Sequence, residues 1–440
     1  MLYSPRSGAP SLLAVVLAGG RGSRLHDLTD NQPKPALPFG TSGRLIDFTL
    51  ANIVHSGLKR AFVLTQYLPD RLHDHLDQRW RAIQESHGLA LEIIDGSDKG
   101  MFNGTADAVA KASAQIDLHA PTHVVILAGD HLYQMDYSRF VARHIETGAQ
   151  VTVGAVQVPI EDAHEFGVMS VDADGRITDF LEKPCNPSAM DAKPGVVLAS
   201  MGIYVFEWAH LRDLLKTLSP QQAELDFGKH VLPRLVQTGT AYAYALPGRG
   251  QAAPLWRDLG TLDAYHAIHA DLECGKVPLD PTWPLLVGRS RPPALRSAFF
   301  SSGIDHPPAI AEVWTGCSVG EGARIGLRCQ LKRVVILPGA LVGDDVRIDN
   351  AIITSDAVVP DGFDLAAALD GAEGWCTTSA GGIRVISARA LTRLAELRPD
   401  GWRRWTPESS IASRSHFLAG RSVVSRQSKI AEQRAHPEDE

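Results

Sequence analysis

The chain is predicted to be an α/β protein, a doubly wound mixed sheet followed by a short parallel β-helix. Three observations predict it. From residue 11 to about 275, short β-rich runs alternate with longer helix-like segments, the order that wraps helices over both faces of a sheet. Several of these runs are apolar throughout, as strands covered on both faces are. Beyond residue 311 the pattern changes, and aliphatic residues recur every six positions, the signature of stacked coils with flat faces.

The strand candidates are Leu12–Leu17, Ala61–Thr65, His123–Leu127, Val151–Val158 and Gly202–Phe206, each bounded by Gly, Pro or polar residues. Helical stretches fall at Asp47–Ser56, Leu68–Gln84 and Ala106–Ile116. Ligands of such sheets bind at the carboxyl ends of the strands. These elements define a first domain over 11–275. Residues 276–310 carry seven prolines with little periodicity and read as a domain connection. The region 311–395 follows as the β-helix: Val313, Val319 and Ile325 keep the six-residue spacing, then Ile336, Val342 and Ile348, then Ile352 and Val358. An irregular β-sandwich is the alternative. Residues 401–440 lack a sustained apolar pattern and read as a disordered tail, with a short helix near 411–418 as the alternative.

Composition narrows the function. The 440 residues carry 43 basic and 50 acidic side chains, a net charge of −7, where a nucleic-acid binder working through a basic face carries the opposite sign. Five scattered cysteines without a C-x-x-C pair argue against a disulfide scaffold or structural zinc. No apolar run has the roughly 18–20 residues of a membrane helix, and Leu12–Ala18 is too short for a signal peptide and opens into glycines. A cytoplasmic protein without membrane or nucleic-acid partners is expected.

The chemistry concentrates in a few segments. Ala14–Leu25 is a strand running into a Gly-rich loop with Arg21 and Arg24; glycines let backbone amides approach a polyphosphate, and arginine forks grip its oxygens. It is neither a P-loop nor a complete dinucleotide fingerprint. A plain helix-capping turn is the structural alternative. Lys34 is braced between Pro33 and Pro35. Asp130 ends a buried run, and Asp258 lies in Arg257-Asp258-Leu259-Gly260-Thr261. Two carboxylates with substrate phosphates suit Mg²⁺, although either Asp alone could be a cap. Glu182 and Lys183 stand side by side after a strand, and Gly104–Val109 reads as a helix start able to face an anion.

These segments resemble the bacterial glucose-1-phosphate adenylyltransferases, within the sugar nucleotidyltransferases. The resemblance spans about residues 12–395 and rests on LAGGRGSRL (17–25), KPALPFG (34–40), GTADAV (104–109), ILAGDH (126–131), FGVM (166–169), FLEKP (180–184), SMGIYVF (200–206) and WRDLGT (256–261). It implies a Rossmann-like nucleotidyltransferase domain, a left-handed β-helix, and Mg²⁺-dependent transfer of the adenylyl group of ATP to glucose 1-phosphate for glycogen synthesis. It also implies catalytic roles for Arg24, Lys34, Asp130, Lys183 and Asp258, with Asp130 and Asp258 as metal ligands. Leu17, Gly19, Gly20, Gln66, Gly104, Thr105 and Asp107 would bind nucleotide; Phe102, Gly167, Glu182, Lys183 and Ser200 would bind glucose 1-phosphate. A homotetramer and a phosphorylated sugar effector, with Arg44, Arg389 and Arg393 at the effector site, complete the expectation.

The sequence departs from the family in two places. Relatives of the regulated kind read Lys-Arg-Ala-Lys-Pro where this chain has Asn31-Gln32-Pro33-Lys34-Pro35, and Pro38 replaces a histidine found in some of them. Each lost charge-assisted bond removes about 1.5–3 kcal/mol, so a weakened effector response is expected. Met101-Phe102 stands where the family has Trp-Tyr, removing one hydroxyl. Three competing functions follow: a nucleotidyltransferase for another base, a catalytically silent regulatory subunit, and acyl transfer by the repeat domain. The intact set Arg24, Lys34, Asp130, Lys183 and Asp258 speaks against the second, and the lack of an obvious histidine-bearing coil against the third.

Overall fold

Apolar runs at the start of the chain form the strands expected of them. In this computed structural model, residues 10–40, 42–185, 195–248, 253–287, 314–370 and 372–398 are described. Val313, residues 288–310 of the proline-rich segment and the 401–440 tail lie outside them. The described chain divides into two compact units. One holds the residues up to Phe39, Gly43–Gly260 and the segment from Val277; the other holds Thr261–Lys276 and the residues from 314 onward.

Besides the two-residue strands Pro38–Phe39 and Gly43–Arg44, the strands of the first unit are β1 (Leu12–Leu17), β2 (Arg60–Thr65), β3 (Ala90–Asp95), β4 (His123–Ala128), β5 (His131–Tyr133), β6 (Val151–Pro159), β7 (Gly167–Val171), β8 (Ile177–Glu182), β9 (Val196–Glu207), β10 (Ala241–Ala245) and β11 (Trp256–Asp258). The main sheet runs β8-β7-β9-β4-β1-β2-β3, with β6 beside β9 and β10 beside β6. Its centre, β4-β1-β2-β3, is parallel, whereas β9 runs antiparallel to β4, β6 and β7. The sheet is thus mixed, with a parallel heart. Leu13–Val16 on β1 and Val124–Leu127 on β4 are buried side by side in sequence because core clusters cover both faces, which a strand in a one-sided sheet could not satisfy.

Two details place candidate site residues. At Gly129 a side chain would meet Val16 Cγ1 at 3.0 Å and the Leu17 carbonyl at 3.1 Å. Only glycine lets the end of β4 pass that close to β1, and Asp130 follows at the sheet mouth. Strand β11 pairs antiparallel with β5, setting Asp258 opposite His131. The segment after Val277 packs back on this unit: Trp283 Nε1 donates to Asn52 Oδ1 at 2.8 Å and Gln134 Nε2 to the Trp283 carbonyl at 2.8 Å.

The helices differ from expectation in continuity. The predicted helix 68–84 is Asp70–His75, a five-residue π-turn Leu76–Trp80, then Arg81–His87. Trp80 lies in that turn and is fully buried, its indole donating to Asp47 Oδ1 at 2.7 Å; the wide turn sits where the ring meets this buried carboxylate. The stretch 106–116 likewise breaks at Ala112 into Thr105–Lys111 and Ser113–Leu118.

The second unit stacks parallel strands. Gln330–Ile336 pairs with Arg347–Ile353, Arg324–Ile325 with Leu341–Val342, and the latter with Val358–Val359. Partners are seventeen residues apart, as are Leu327 and Asp344 joined by a hydrogen bond across the stack. The inward positions therefore run six, six and five, not a strict six. Val319, Ile336 and Ile353 stack, as do Ile325, Val342 and Val359. This corrects the third pair: Ile353 and Val359 belong to the core cluster, not the expected Ile352 and Val358. Left-handed backbone recurs at the same interval, at Gly316, Arg333 and Asn350 and at Arg328, Asp345 and Gly362, so one corner geometry repeats with the stack.

Candidate active site

The Gly-rich loop closes over Lys34. Gly22 is left-handed (φ 71°), and a Cβ there would lie 2.9 Å from Lys34 Cβ, so this is a position only glycine fits without strain. The Lys34 amide donates to the Gly20 carbonyl at 3.4 Å. Pro33 and Pro35 set the short turn Lys34–Ala36, which leaves the Lys34 side chain 7% exposed.

Lys34 Nζ donates to Asp258 Oδ1 at 2.6 Å and lies 3.2 Å from Asp130 Oδ2. Burial acts to lower the lysine pKa, but the Asp130 and Asp258 charges outweigh it and hold the ammonium above its ordinary value. Burial likewise acts to raise Asp130, and Lys34, His131 and a backbone hydrogen bond together more than reverse it, so this carboxyl sits below the usual range. Both partners are ionised, as a converging carboxylate pair with a cation requires. Arg24 completes the cluster: one guanidinium nitrogen pairs with Glu165 and the other is 3.7 Å from Asp258 Oδ2. His131 Nε2 stands 3.6 Å from Asp130 and 3.8 Å from Asp258, its ring edge-on to Trp256 at 5.3 Å. The buried Trp256 indole N–H and His131 Nδ1 have no hydrogen-bond partner among the described residues, so water or a ligand would have to satisfy them.

A second group surrounds Glu182. A Cβ on Gly167 would lie 2.8 Å from Glu182 Oε2, and one on Gly228 only 2.3 Å from it; both glycines leave the carboxylate its space. Burial, then the Asp226 charge, raise the Glu182 pKa. Asp226 caps the turn Phe227–Val231 through the Gly228 and Lys229 amides and accepts from Thr105 Oγ1 at 2.7 Å. Ser200 sits at a break in the β6–β9 register, with Gly202 in left-handed backbone, and Tyr204 resumes the pairing. The Gly202 amide donates to Ser200 Oγ at 3.3 Å. Lys183 is exposed and takes a positive φ of 48°, turning the chain as β8 ends, while its amide donates to the Phe166 carbonyl at 3.0 Å.

The expected nucleotide residues divide. Leu17 ends β1, and Gly19 faces Gln66, where a Cβ would contact Gln66 Cβ at 3.2 Å. Gln66 grips the backbone of Phe102, accepting from its amide and donating to its carbonyl at 3.2 Å, and the Phe102 ring lies in the hydrophobic core. Phe102 is therefore placed with Gln66. Gly104 (φ 109°) lies against Leu225, Asp107 accepts from the Asn103 amide at 2.7 Å, and Thr105 belongs with Asp226. These three tie the loop 103–107 to 225–227.

Of the effector candidates, Arg44 donates to the Ala36 carbonyl at 2.7 Å and reaches Gln32 Oε1 at 3.4 Å, bracing the Lys34 turn. Gln32 is buried, donating to the Leu28 carbonyl at 3.2 Å. Arg389 and Arg393 are exposed one turn apart on the helix Ala388–Leu397 of the second unit. Glu165, Asp226, His131 and Trp256 were not among the sequence candidates. FGVM and WRDLGT adjoin or contain two of them, and ILAGDH ends on His131.

A buried lysine between two carboxylates, at the strand ends of a mixed α/β sheet and beneath a Gly-Arg loop, defines a phosphate-handling transferase. Residues 13–274 match the nucleotidyl transferase family. The chain is 37% identical over 409 residues to a glucose-1-phosphate adenylyltransferase of Jannaschia sp. (strain CCS1), covering 87% of this chain and 97% of that protein. It is 36% identical to the enzyme of Pasteurella multocida (strain Pm70), covering 87% and 92%, and 37% identical to glucose-1-phosphate adenylyltransferase 2 of Alkalilimnicola ehrlichii, covering 90% and 93%. The chain belongs to the nucleotidyl transferases, in the glucose-1-phosphate adenylyltransferase family.

Proposed function

We propose that the chain transfers the adenylyl group of ATP to α-D-glucose 1-phosphate, giving ADP-glucose and pyrophosphate for α-glucan (glycogen) synthesis. The convergence of Asp130 and Asp258 on Lys34 carries this reading. Each step then has a residue. Arg24 and Lys34 hold the triphosphate and neutralise charge that develops on the departing pyrophosphate. Glu182 accepts from sugar hydroxyls within the space left by Gly167 and Gly228, Lys183 pairs with the sugar phosphate, and Ser200 offers its hydroxyl to the same substrate. The phosphate of glucose 1-phosphate attacks the α-phosphorus in line; the new P–O bond forms as the bond to the pyrophosphate oxygen breaks. A phosphate dianion is already a nucleophile, so positioning and electrostatics supply the rate, with no covalent intermediate.

Asp130 and Asp258 fit Mg²⁺ by donor chemistry: both present carboxylate oxygens to one point, and phosphate and water oxygens would fill the remaining positions. Among the described residues no group of three or more His, Cys, Asp or Glu side chains is arranged to hold a metal, so the substrate must contribute ligands. When bound, the ion adds positive charge where the triphosphate accumulates negative charge.

The natural setting of this reading is a cytoplasmic homotetramer whose second unit, a left-handed β-helix, serves assembly. No helix among the described residues is long and apolar enough to cross a membrane. Asn31 is exposed and Gln32 buried, so neither supplies the cations that a phosphorylated sugar effector would use, and control by it is weak. Chromatographic identification of ADP-glucose from ATP and glucose 1-phosphate tests the proposal, with Asp258→Asn as the control that must lose it.

A further inference from the structure

Glu165 has no part in the chemistry above, yet it holds a residue that does. It ends the short 3-10 turn Ile160–Glu165 and pairs with Arg24, 141 residues earlier in the chain. The second guanidinium nitrogen looks towards Asp258 at 3.7 Å, but Asp258 is already committed to Lys34 at 2.6 Å. The cluster thus sets three carboxylates (Glu165, Asp130, Asp258) against two permanent cations (Arg24, Lys34). Two carboxylates serve the lysine and a metal; the third gives one oxygen to the arginine, while its other oxygen lies 3.6 Å from the exposed His164 Nε2.

The pair is open to exchange. The Arg24 side chain is 51% exposed and Glu165 is 32% exposed, so burial locks neither, and water screens the attraction. A triphosphate oxygen offers the same fork geometry to the guanidinium with a higher local charge. We propose that Glu165 is an anionic placeholder: it holds Arg24 at the mouth of the site while no nucleotide is bound and yields it to the triphosphate on binding. The inference rests on reading Arg24 as a phosphate ligand. It makes Glu165 a determinant of nucleotide affinity through Arg24, since each binding event must break the ion pair.

The test is direct binding of ATP to the full chain, measured calorimetrically without sugar phosphate and at fixed Mg²⁺ and ionic strength. The proteins are wild type, Glu165→Gln, Arg24→Ala and the double variant, with ATP titrated to millimolar concentration. Glu165→Gln is expected to bind ATP about 3- to 10-fold tighter, with an unchanged melting temperature at this part-exposed position. In the Arg24→Ala background the same substitution is expected to change affinity less than 2-fold. Glu165→Ala should act in the same direction and covers any folding defect of the amide. Unchanged or weaker binding by Glu165→Gln overturns the placeholder. So does an equal gain without Arg24, which would reveal a through-space charge effect. A folded wild type that binds no ATP overturns instead the reading of the nucleotide site beneath it.

Discussion

Lys34 Nζ and Asp258 Oδ1 are 2.6 Å apart although 224 residues separate them in the chain. The contact joins the proline-braced turn after the Gly-rich loop to the short strand β11, and Asp130 at the end of β4 shares the ammonium. Removing the cation would leave two carboxylates facing each other in a partly buried site, which costs on the order of 3–5 kcal/mol when nothing replaces it. Mg²⁺ is a natural replacement. Lys34→Gln should therefore lower the melting temperature in chelator, and millimolar Mg²⁺ should restore it by several degrees more than it raises wild type. Differential scanning calorimetry with and without chelator decides it; equal Mg²⁺ shifts in the two proteins would count against a shared metal position.

Two glycines separate function from stability. On Gly228 a methyl group would lie 2.3 Å from the free end of Glu182, which can swing aside. Gly228→Ala should keep the fold but displace the carboxylate, raising KM for glucose 1-phosphate about 10-fold with little change in KM for ATP. On Gly104 the obstacle is the Leu225 carbonyl at 2.3 Å and φ is 109°, so backbone must move. Gly104→Ala should cost roughly 2 kcal/mol or more of stability, read from denaturant unfolding.

Buried histidines set the acid limit of stability. His144 is 1% exposed, with Nδ1 2.8 Å from Thr152 Oγ1; burial first, then the nearby His123, push its pKa down to about 3. A folded pKa below the unfolded value near 6.5 means that the contribution is complete above pH 6.5. It is lost as pH falls from 6.5 towards 3. His144→Gln should flatten the melting-temperature profile over that window relative to wild type.

Glu273 in the second unit behaves in the opposite sense. Burial pushes its pKa up to about 7, and its buried Oε1 has no hydrogen-bond partner among the described residues. A carboxyl raised on folding stabilises below its unfolded value near 4.5 and destabilises as pH rises through 7. Glu273→Gln should raise the melting temperature at pH 8 and give no gain at pH 4. A gain of equal size at both pH values would contradict the assignment.

The effector prediction follows from Gln32 and Asn31. Fructose 1,6-bisphosphate should activate weakly, and Asn31→Lys, at an exposed position, should steepen the response. Arg44→Ala should lower activity with or without effector, because Arg44 braces the Ala36 carbonyl. Initial rates across an effector titration separate the two behaviours.

Much of this was legible in the chain itself. The apolar runs at Leu12–Leu17 and His123–Leu127 marked the buried parallel centre, and the Gly-Arg loop, Lys34, Asp130 and Asp258 were chemically conspicuous. Their meeting point was not, because a contact across 224 residues depends on how β11 pairs with β5. Glu165 and Asp226 escaped notice because a single acid in a turn resembles any solvated acid until its partner is known. The stack slipped by one residue after Ile348 because its period of seventeen shows as six only twice in a row. The long helix before residue 84 hid its π-turn, since side-chain periodicity does not record the pull of Asp47 on Trp80.

The most direct test is pyrophosphate release from ATP, UTP, GTP and dTTP, each with glucose 1-phosphate and Mg²⁺. The account predicts rapid turnover with ATP, little with the other three, and loss of about 100-fold or more in Asp258→Asn. A folded wild-type chain that releases no pyrophosphate with any of the four, or that prefers another base to ATP, would contradict it.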